Sequence, residues 1–158
     1  MKIRDIMTPE PRTCAPDTTL AAAAGLMWDT DCGILPVVEE GALVGVVTDR
    51  DICIALATRN ARAATMAVGE VAGRTVWTCG PDEDPRAALV AMNAHRVRRL
   101  PVVDAGGTLV GVVSMNDLVL AAGAGAPVRN DEVVDTLKGI CAHHLPTPYV
   151  VEPGAPTA

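Results

Sequence analysis

Two short apolar runs along the chain, Leu35–Val38 and Leu100–Val103, both read Leu-Pro-Val-Val. Each is followed by a polar turn, Glu39–Ala42 or Asp104–Thr108, and then by a second run, Leu-Val-Gly-Val-Val, at Leu43–Val47 and Leu109–Val113. Short apolar runs joined by Gly-containing turns predict β-strands paired as hairpins. Upstream of each hairpin the apolar period changes. Leu20, Ala23, Ala24 and Met27 recur at helical spacing, as do Ala88, Leu89 and Met92. Asp17 and Asp82 are the predicted N-caps of these helices. Arg12–Cys14 and Val76–Cys79, just ahead of Pro16 and Pro81, are predicted as short extended segments. After the hairpins, Thr48 and Ser114 are placed to cap a second helix in each half. The predicted order is β-α-β-β-α, twice, a mixed α+β fold.

The two halves are copies in register. Shifted by 65 residues, Thr13–Asp17 (Thr-Cys-Ala-Pro-Asp) meets Thr78–Asp82 (Thr-Cys-Gly-Pro-Asp), Met27 meets Met92, and the two Leu-Pro-Val-Val runs coincide. Gly107 adds one residue to the second turn, so that Asp51 meets Asp117 at an offset of 66. Matches spread over such a length indicate a duplicated supersecondary unit whose copies pack on each other. The expected organisation is residues 1–60 and 61–124 for the two units. Residues 125–158 then hold a further helix and a Pro-rich tail. In that helix Val133, Val134, Leu137, Ile140 and Cys141 form an apolar stripe, with Asn130 as its predicted cap.

Composition narrows the classes. Apolar residues make up 49% of 158, too many for a disordered chain. Aromatics are only 2%, with no Phe, so the core must come from Val, Leu, Ile, Ala and Met. A net charge of −6 without a basic stripe argues against nucleic acid as a partner. No apolar run is long enough to span a bilayer, and the charged start, Met1–Arg12, lacks the apolar region of a secretory signal. Five Cys without zinc-ribbon spacing fit free thiols in a reducing cytoplasm.

The doubled β-α-β-β-α order, with two Leu-Pro-Val-Val runs and two Gly-Val-Val-[Ser/Thr]-x-x-Asp motifs, resembles a tandem pair of cystathionine β-synthase (CBS) domains, a Bateman module of the stand-alone bacterial type. The resemblance covers about Ile3 to Gly123. It implies a pseudo-twofold pair of motifs with clefts between them, commonly assembled as a homodimer. It also implies an adenine nucleotide (AMP, ADP, ATP or a related compound) as regulatory ligand, with no cofactor of catalysis.

Candidate ligand-binding residues follow from both sources. A carboxylate accepts two hydrogen bonds and suits a ribose diol. The resemblance gives that role to Asp51 and Asp117. Thr48 and Ser114 open helices, where free N–H groups suit phosphate. The same spacing is also a capping box, in which the acid bonds back to its cap. Both readings stand at this point. Gly45 and Gly111 lie inside strands, where Gly marks either a bulge or crossing, or the close approach of a ligand. Arg98 and Arg99 precede the second Leu-Pro-Val-Val run, where the first unit has Gly33 and Ile34. The resemblance sets basic residues there on phosphate, and Arg suits phosphate through its bidentate fork. The expectation groups Arg98 and Arg99 with Ser114 and Asp117, leaving Thr48 and Asp51 as a second, weaker site. Arg50 is expected to pair with a neighbouring acid, and His95 to be a surface helix residue. Cys14 and Cys79 occupy equivalent, packing positions. Cys141 beside His143 and His144 only superficially suggests a metal site, and no metal is expected.

The leading expectation is a regulatory module that binds an adenine nucleotide and signals to an effector protein in trans. The alternative is a ligand-independent interaction module with vestigial clefts. No Ser/His/Asp order, Walker loop or metal-ligand set suggests an enzyme.

Overall fold

Glu40 and Gly41 both adopt positive φ, 49° and 83°, in the two-residue turn that closes the first hairpin. That is the turn whose twist matches the flanking strands. The hairpin pairs β2 (Ile34–Glu39) with β3 (Ala42–Thr48). Its copy pairs β4 (Arg99–Val103) with β5 (Leu109–Ser114). The computed structural model describes residues 1–142. Ahead of each hairpin stands one helix, α1 (Leu20–Asp29) or α3 (Pro85–His95). Behind each follows another, α2 (Asp49–Arg59) or α4 (Met115–Ala121). The helix α5 (Asn130–Cys141) ends the described chain. His143 and His144, and with them the histidine part of the Cys-Ala-His-His run, lie outside the described residues.

The predicted first strands shrink to single parallel bridges, Cys14 with Val37 and Cys79 with Val102. In each, the Cys N–H donates to Pro36 or Pro101, and the Cys carbonyl accepts from Val38 or Val103. The bends at Pro16 and Pro81 leave no room for a longer ladder. Three predicted caps move. Thr19, not Asp17, caps α1, accepting from the Ala22 N–H at 3.2 Å. Asp84, not Asp82, caps α3 ahead of Pro85, whose ring suits the first helical position. Asn130 is already helical, and the Arg129 N–H is satisfied by Glu132 at 2.8 Å.

The two units are interlocked through their lead segments. A 3-10 turn at Ile3–Asp5 buries Ile3 completely, and it does so in the core of the second unit, with Leu100, Val102, Val113 and Leu118. The equivalent turn, Val68–Glu70, buries Val68 in the core of the first unit, with Leu20, Leu35, Val37 and Val47. The docking bonds match in register. Ile3 and Arg4 donate to Glu83 and Pro81, as Val68 and Gly69 donate to Thr18 and Pro16. β1 (Thr8–Pro9) then adds to β5, with Thr8 opposite Val112, and Gly73 pairs with Val46 in the same way. Lys2 and Arg4 both pair with Asp82, and the Lys2 hydrogen bond, with both positive charges, holds that carboxyl below the usual carboxylate range.

This crossing explains the strand glycines. A Cβ on Gly111 would run into Met7 of the crossing lead, and one on Gly45 would stand 3.0 Å from the Gly73 carbonyl oxygen. Each Gly also flanks a bulge, between Val37 and Val38 or Val102 and Val103 on the partner strand. The helix α5 packs on α3 and α4 of the second unit, placing Val133, Leu137 and Ile140 inward while Val134 stays exposed. An Arg86–Glu132 ion pair at 2.9 Å links α3 to α5. Cys141 ends α5 on the second unit, Cys14 lies in the first-unit core, and all five cysteines are free.

Ile3 precedes both units in sequence yet fills the second core, so Ile3→Ala should cost about 2–5 kcal/mol. Urea unfolding that shows less than about 0.5 kcal/mol of loss would contradict the interlock. Burial pushes the thiols of Cys14 and Cys79 up to about 11 and about 12. Native protein at pH 8 should therefore expose Cys53 and Cys141 to a thiol reagent while Cys14 and Cys79 react only on unfolding. The unfolded thiols ionise near pH 9 and the folded ones later. The stabilisation from the protonated thiols is thus whole below about pH 9 and is lost as pH rises toward these values. A Cys14→Ala/Cys79→Ala variant should lack that alkaline component of the unfolding midpoint.

Candidate functional site

The interlock leaves a cleft on each side of the pseudo-twofold axis. Each is built from one unit's second hairpin strand and following helix start, facing the other unit's first hairpin strand. The first cleft, about 470 Å³, joins Val112, Ser114, Asn116 and Asp117 to Ile34 and Pro36, with the lead residues Glu10 and Arg12 and the loop residue Asp31 at its edge. The second, about 520 Å³, joins Val46, Thr48, Asp49 and Arg50 to Arg99 and Pro101, with Trp77, Arg96, Arg98 and Ile140 around them. Arg99 lines both.

Thr48 and Ser114 sit at the ends of β3 and β5, in extended backbone, where the chain turns into a helix. Both take part in complete capping boxes. The Thr48 hydroxyl accepts from the Asp51 N–H at 3.2 Å, while Asp51 Oδ2 accepts from the Thr48 N–H at 3.0 Å and its hydroxyl at 2.6 Å. At the second copy the Ser114 hydroxyl accepts from Asp117 N–H at 3.3 Å, and Asp117 Oδ2 accepts two bonds of 2.7 Å from Ser114. The acids thus cap their helices in this state, and one oxygen of each carries every hydrogen bond found among the described residues. Asp117 lines the first cleft, and its Oδ1 takes part in no hydrogen bond among the described residues. Asp51 does not reach the wall of the second cleft, where Asp49 stands instead.

The arginines divide differently from the sequence expectation. Arg98 lies in the cleft of Thr48, not in that of Ser114 and Asp117, and its Nη2 lies 3.8 Å from Cys141 Sγ at the end of α5. Arg99 serves both clefts because it begins β4 beside the axis, across from Ile34, its counterpart in β2. Arg50, expected to pair with an acid, forms no ion pair among the described residues, and it faces the second cleft. The neighbouring Asp49 carboxylate accepts from the Arg50 backbone N–H at 2.7 Å, and Asp51 is engaged by Thr48. Trp77, Glu10, Arg12, Asp31, Asp49, Asn116 and Ile140 are among the lining residues that sequence reasoning missed. Trp77 stacks on His95, ring centroids 3.5 Å apart and planes within 5°, so His95 is exposed but not idle. The signal for Arg12 and Trp77 was present, since the 65-residue shift superposes one on the other. No group of three or more His, Cys, Asp or Glu that could hold a metal occurs among the described residues. No described helix is long and apolar enough to cross a membrane.

Chemically, each cleft offers an apolar wall from Pro and Val, a carboxylate, and guanidinium groups. That set can hold a planar apolar ring, a diol and an anion together.

The family model described as CBS domain matches residues 3–58 and 68–123. The chain is 37% identical over 118 residues to the CBS domain-containing protein YhcV of Bacillus subtilis, covering 75% of this chain and 83% of that one. It is 34% identical over 117 residues to the homoserine O-acetyltransferase of Methanococcoides burtonii, 73% of this chain but only 23% of the enzyme. Among solved structures, Hypoxic Response Protein I with two coordinated zinc ions superposes with a TM-score of 0.69 at 32% identity, over 76% of this chain and 98% of that one. The CBS domain pair of MJ0100, in complex with 5-methylthioadenosine and S-adenosyl-L-methionine, gives 0.69 at 29%, over 76% and 94%. CBSX2 in complex with AMP gives 0.66 at 28%, over 76% and 94%.

Proposed function

The chain belongs to the CBS domain family as a tandem pair, and from that premise we propose that it is a cytoplasmic regulatory module that binds an adenine nucleotide between its two units and signals to an effector protein in trans. The observation that carries the reading is the first cleft, where Asp117, Ser114 and Arg99 meet an apolar wall of Ile34, Pro36 and Val112. Asp117 Oδ1 accepts from the ribose hydroxyls, the wall covers the base, and Arg99 takes the phosphate charge. The complexes of MJ0100 and CBSX2 with adenosine compounds support it. The acetyltransferase match supports no activity here, because it spans only 23% of that enzyme.

A charge-assisted hydrogen bond is worth roughly 1.5–3 kcal/mol. Its loss should weaken affinity by about ten- to a hundredfold. Asp117→Ala should therefore weaken both AMP and adenosine to that extent, while costing about 1 kcal/mol of stability through the lost cap. Arg99→Ala should penalise AMP well beyond adenosine, because only AMP carries the phosphate. Calorimetric titration of both ligands against the three proteins decides. Equal AMP affinity of wild type and Asp117→Ala would leave the carboxylate with its capping role alone.

The same reading includes a homodimer. Trp28 on α1 is 86% exposed and Leu120 on α4 is 85% exposed, with Ile54 on α2 and Val90 on α3 also open. Large apolar groups left on several helices favour burial against a second copy. Light scattering at micromolar concentration should return twice the chain mass, and Trp28→Glu should shift it toward the monomer. The alternative, an interaction module with empty clefts, keeps the dimer but predicts no heat from any adenine compound.

A further inference from the structure

The two clefts share a backbone plan and differ in charge. The first sets Glu10, Asp31 and Asp117 against Arg12 and Arg99, so acids outnumber bases. The second sets Arg50, Arg96, Arg98 and Arg99 against Asp49. Among the described residues Arg50, Arg98 and Arg99 take part in no ion pair, and the side-chain partner recorded for Arg98 is the thiol sulfur of Cys141, 3.8 Å away. Like charges crowded around a concave site raise its potential and are relieved by a multiply charged anion. Guanidinium forks are the side chains best matched to phosphate oxygens.

We propose that the clefts are not equivalent: the cleft of Thr48 takes the polyphosphate of a nucleoside di- or triphosphate, and the more acidic cleft of Ser114 and Asp117 takes an adenosine compound that carries at most one phosphate. This rests on the adenosine reading of the clefts, and it reverses the ranking expected from sequence, in which the Thr48 site was the weaker. The differences between the units that make the clefts unlike are Arg98 where the first unit has Gly33, Arg96 where it has Asp31, Thr75 where it has Glu10, and Arg50 where the second unit has Asn116. Arg99 faces both clefts, so a polyphosphate that engages it in the second cleft withdraws the charge an anionic tail would need in the first.

Trp77 lines the second cleft, and the only other tryptophan is Trp28 on α1. A Trp28→Phe protein therefore reports on this cleft through its remaining fluorescence. Titration with ATP and with inorganic tripolyphosphate should change that emission. Arg98→Ala should weaken both by about ten- to a hundredfold, and Asp117→Ala should leave both within about twofold. Calorimetry with 5-methylthioadenosine should show the reverse pattern, with Asp117→Ala weakening it and Arg98→Ala not. Raised salt should weaken ATP much more than 5-methylthioadenosine. If ATP follows Asp117 rather than Arg98, or tripolyphosphate leaves Trp77 unaffected, the division is overturned even though AMP binds. If tripolyphosphate acts through Arg98 and no adenine compound binds, the polyphosphate site stands and the adenosine reading falls.

Discussion

Ile3 and Val68 are each buried in the core of the unit other than the one they lead into, and this exchange governs the rest of the molecule. Burying an aliphatic side chain is worth about 1.5–3 kcal/mol, and here that energy can be gained only if both units fold against each other. The lead segments then cross the second hairpin strands, and the crossing dictates Gly45 and Gly111. It also carries Glu10 and Arg12 on one side, and Thr75 to Trp77 on the other, to the rims of the clefts. Neither cleft exists within one unit.

The strand glycines therefore settle as packing residues. Their Cα hydrogens leave space for Met7 and for the backbone at Gly73, which is the close approach that their position in a strand suggested. The motif acids behave differently, because one residue type satisfies two demands. A carboxylate has two oxygens and room for several donors. Capping uses Oδ2 of Asp117, a residue of the cleft wall, and leaves Oδ1 without a hydrogen bond among the described residues. The capping-box and ligand readings of Gly-Val-Val-Ser-x-x-Asp are thus compatible at Asp117. At Asp51 the cap is equally good, but the carboxyl falls short of the cleft.

Elements that depend on local pattern were legible in the sequence. The two hairpins, the four helices of the repeat, the caps at Thr48 and Ser114 and three of the five stripe positions of α5 (Val133, Leu137 and Ile140, with Val134 and Cys141 exposed) follow from periodicity and turn chemistry. Caps at α1 and α3 were misplaced by two residues; at α3 Asp82 is drawn off to Lys2 and Arg4, a contact 78 or more residues away. The clefts were half legible. Ser114, Asp117 and Arg99 come together as expected, yet Arg98 belongs to the other side. A motif read along one unit cannot show that each site takes its hydroxyl from one copy and its facing strand from the other. Aligning the copies gives equivalent positions; only the twofold packing says which of them face each other.

That packing also limits how alike two duplicated sites can remain. Residues 34 and 99 are equivalent, begin equivalent strands, and both line both clefts. Arginine at both would set two guanidinium groups against each other across the axis, at a Coulombic cost that low-dielectric walls increase. Isoleucine at both would leave neither cleft a central cation. One Ile34 and one Arg99 avoid the repulsion and keep the charge, and the consequence is asymmetry at the axis itself. Once the axis is asymmetric, each further difference nearby has a defined side. Arg98 adds to the basic cleft, and Glu10 and Asp31 offset Arg12 in the other. A symmetric backbone with a single shared guanidinium therefore favours two unlike sites over two copies of one.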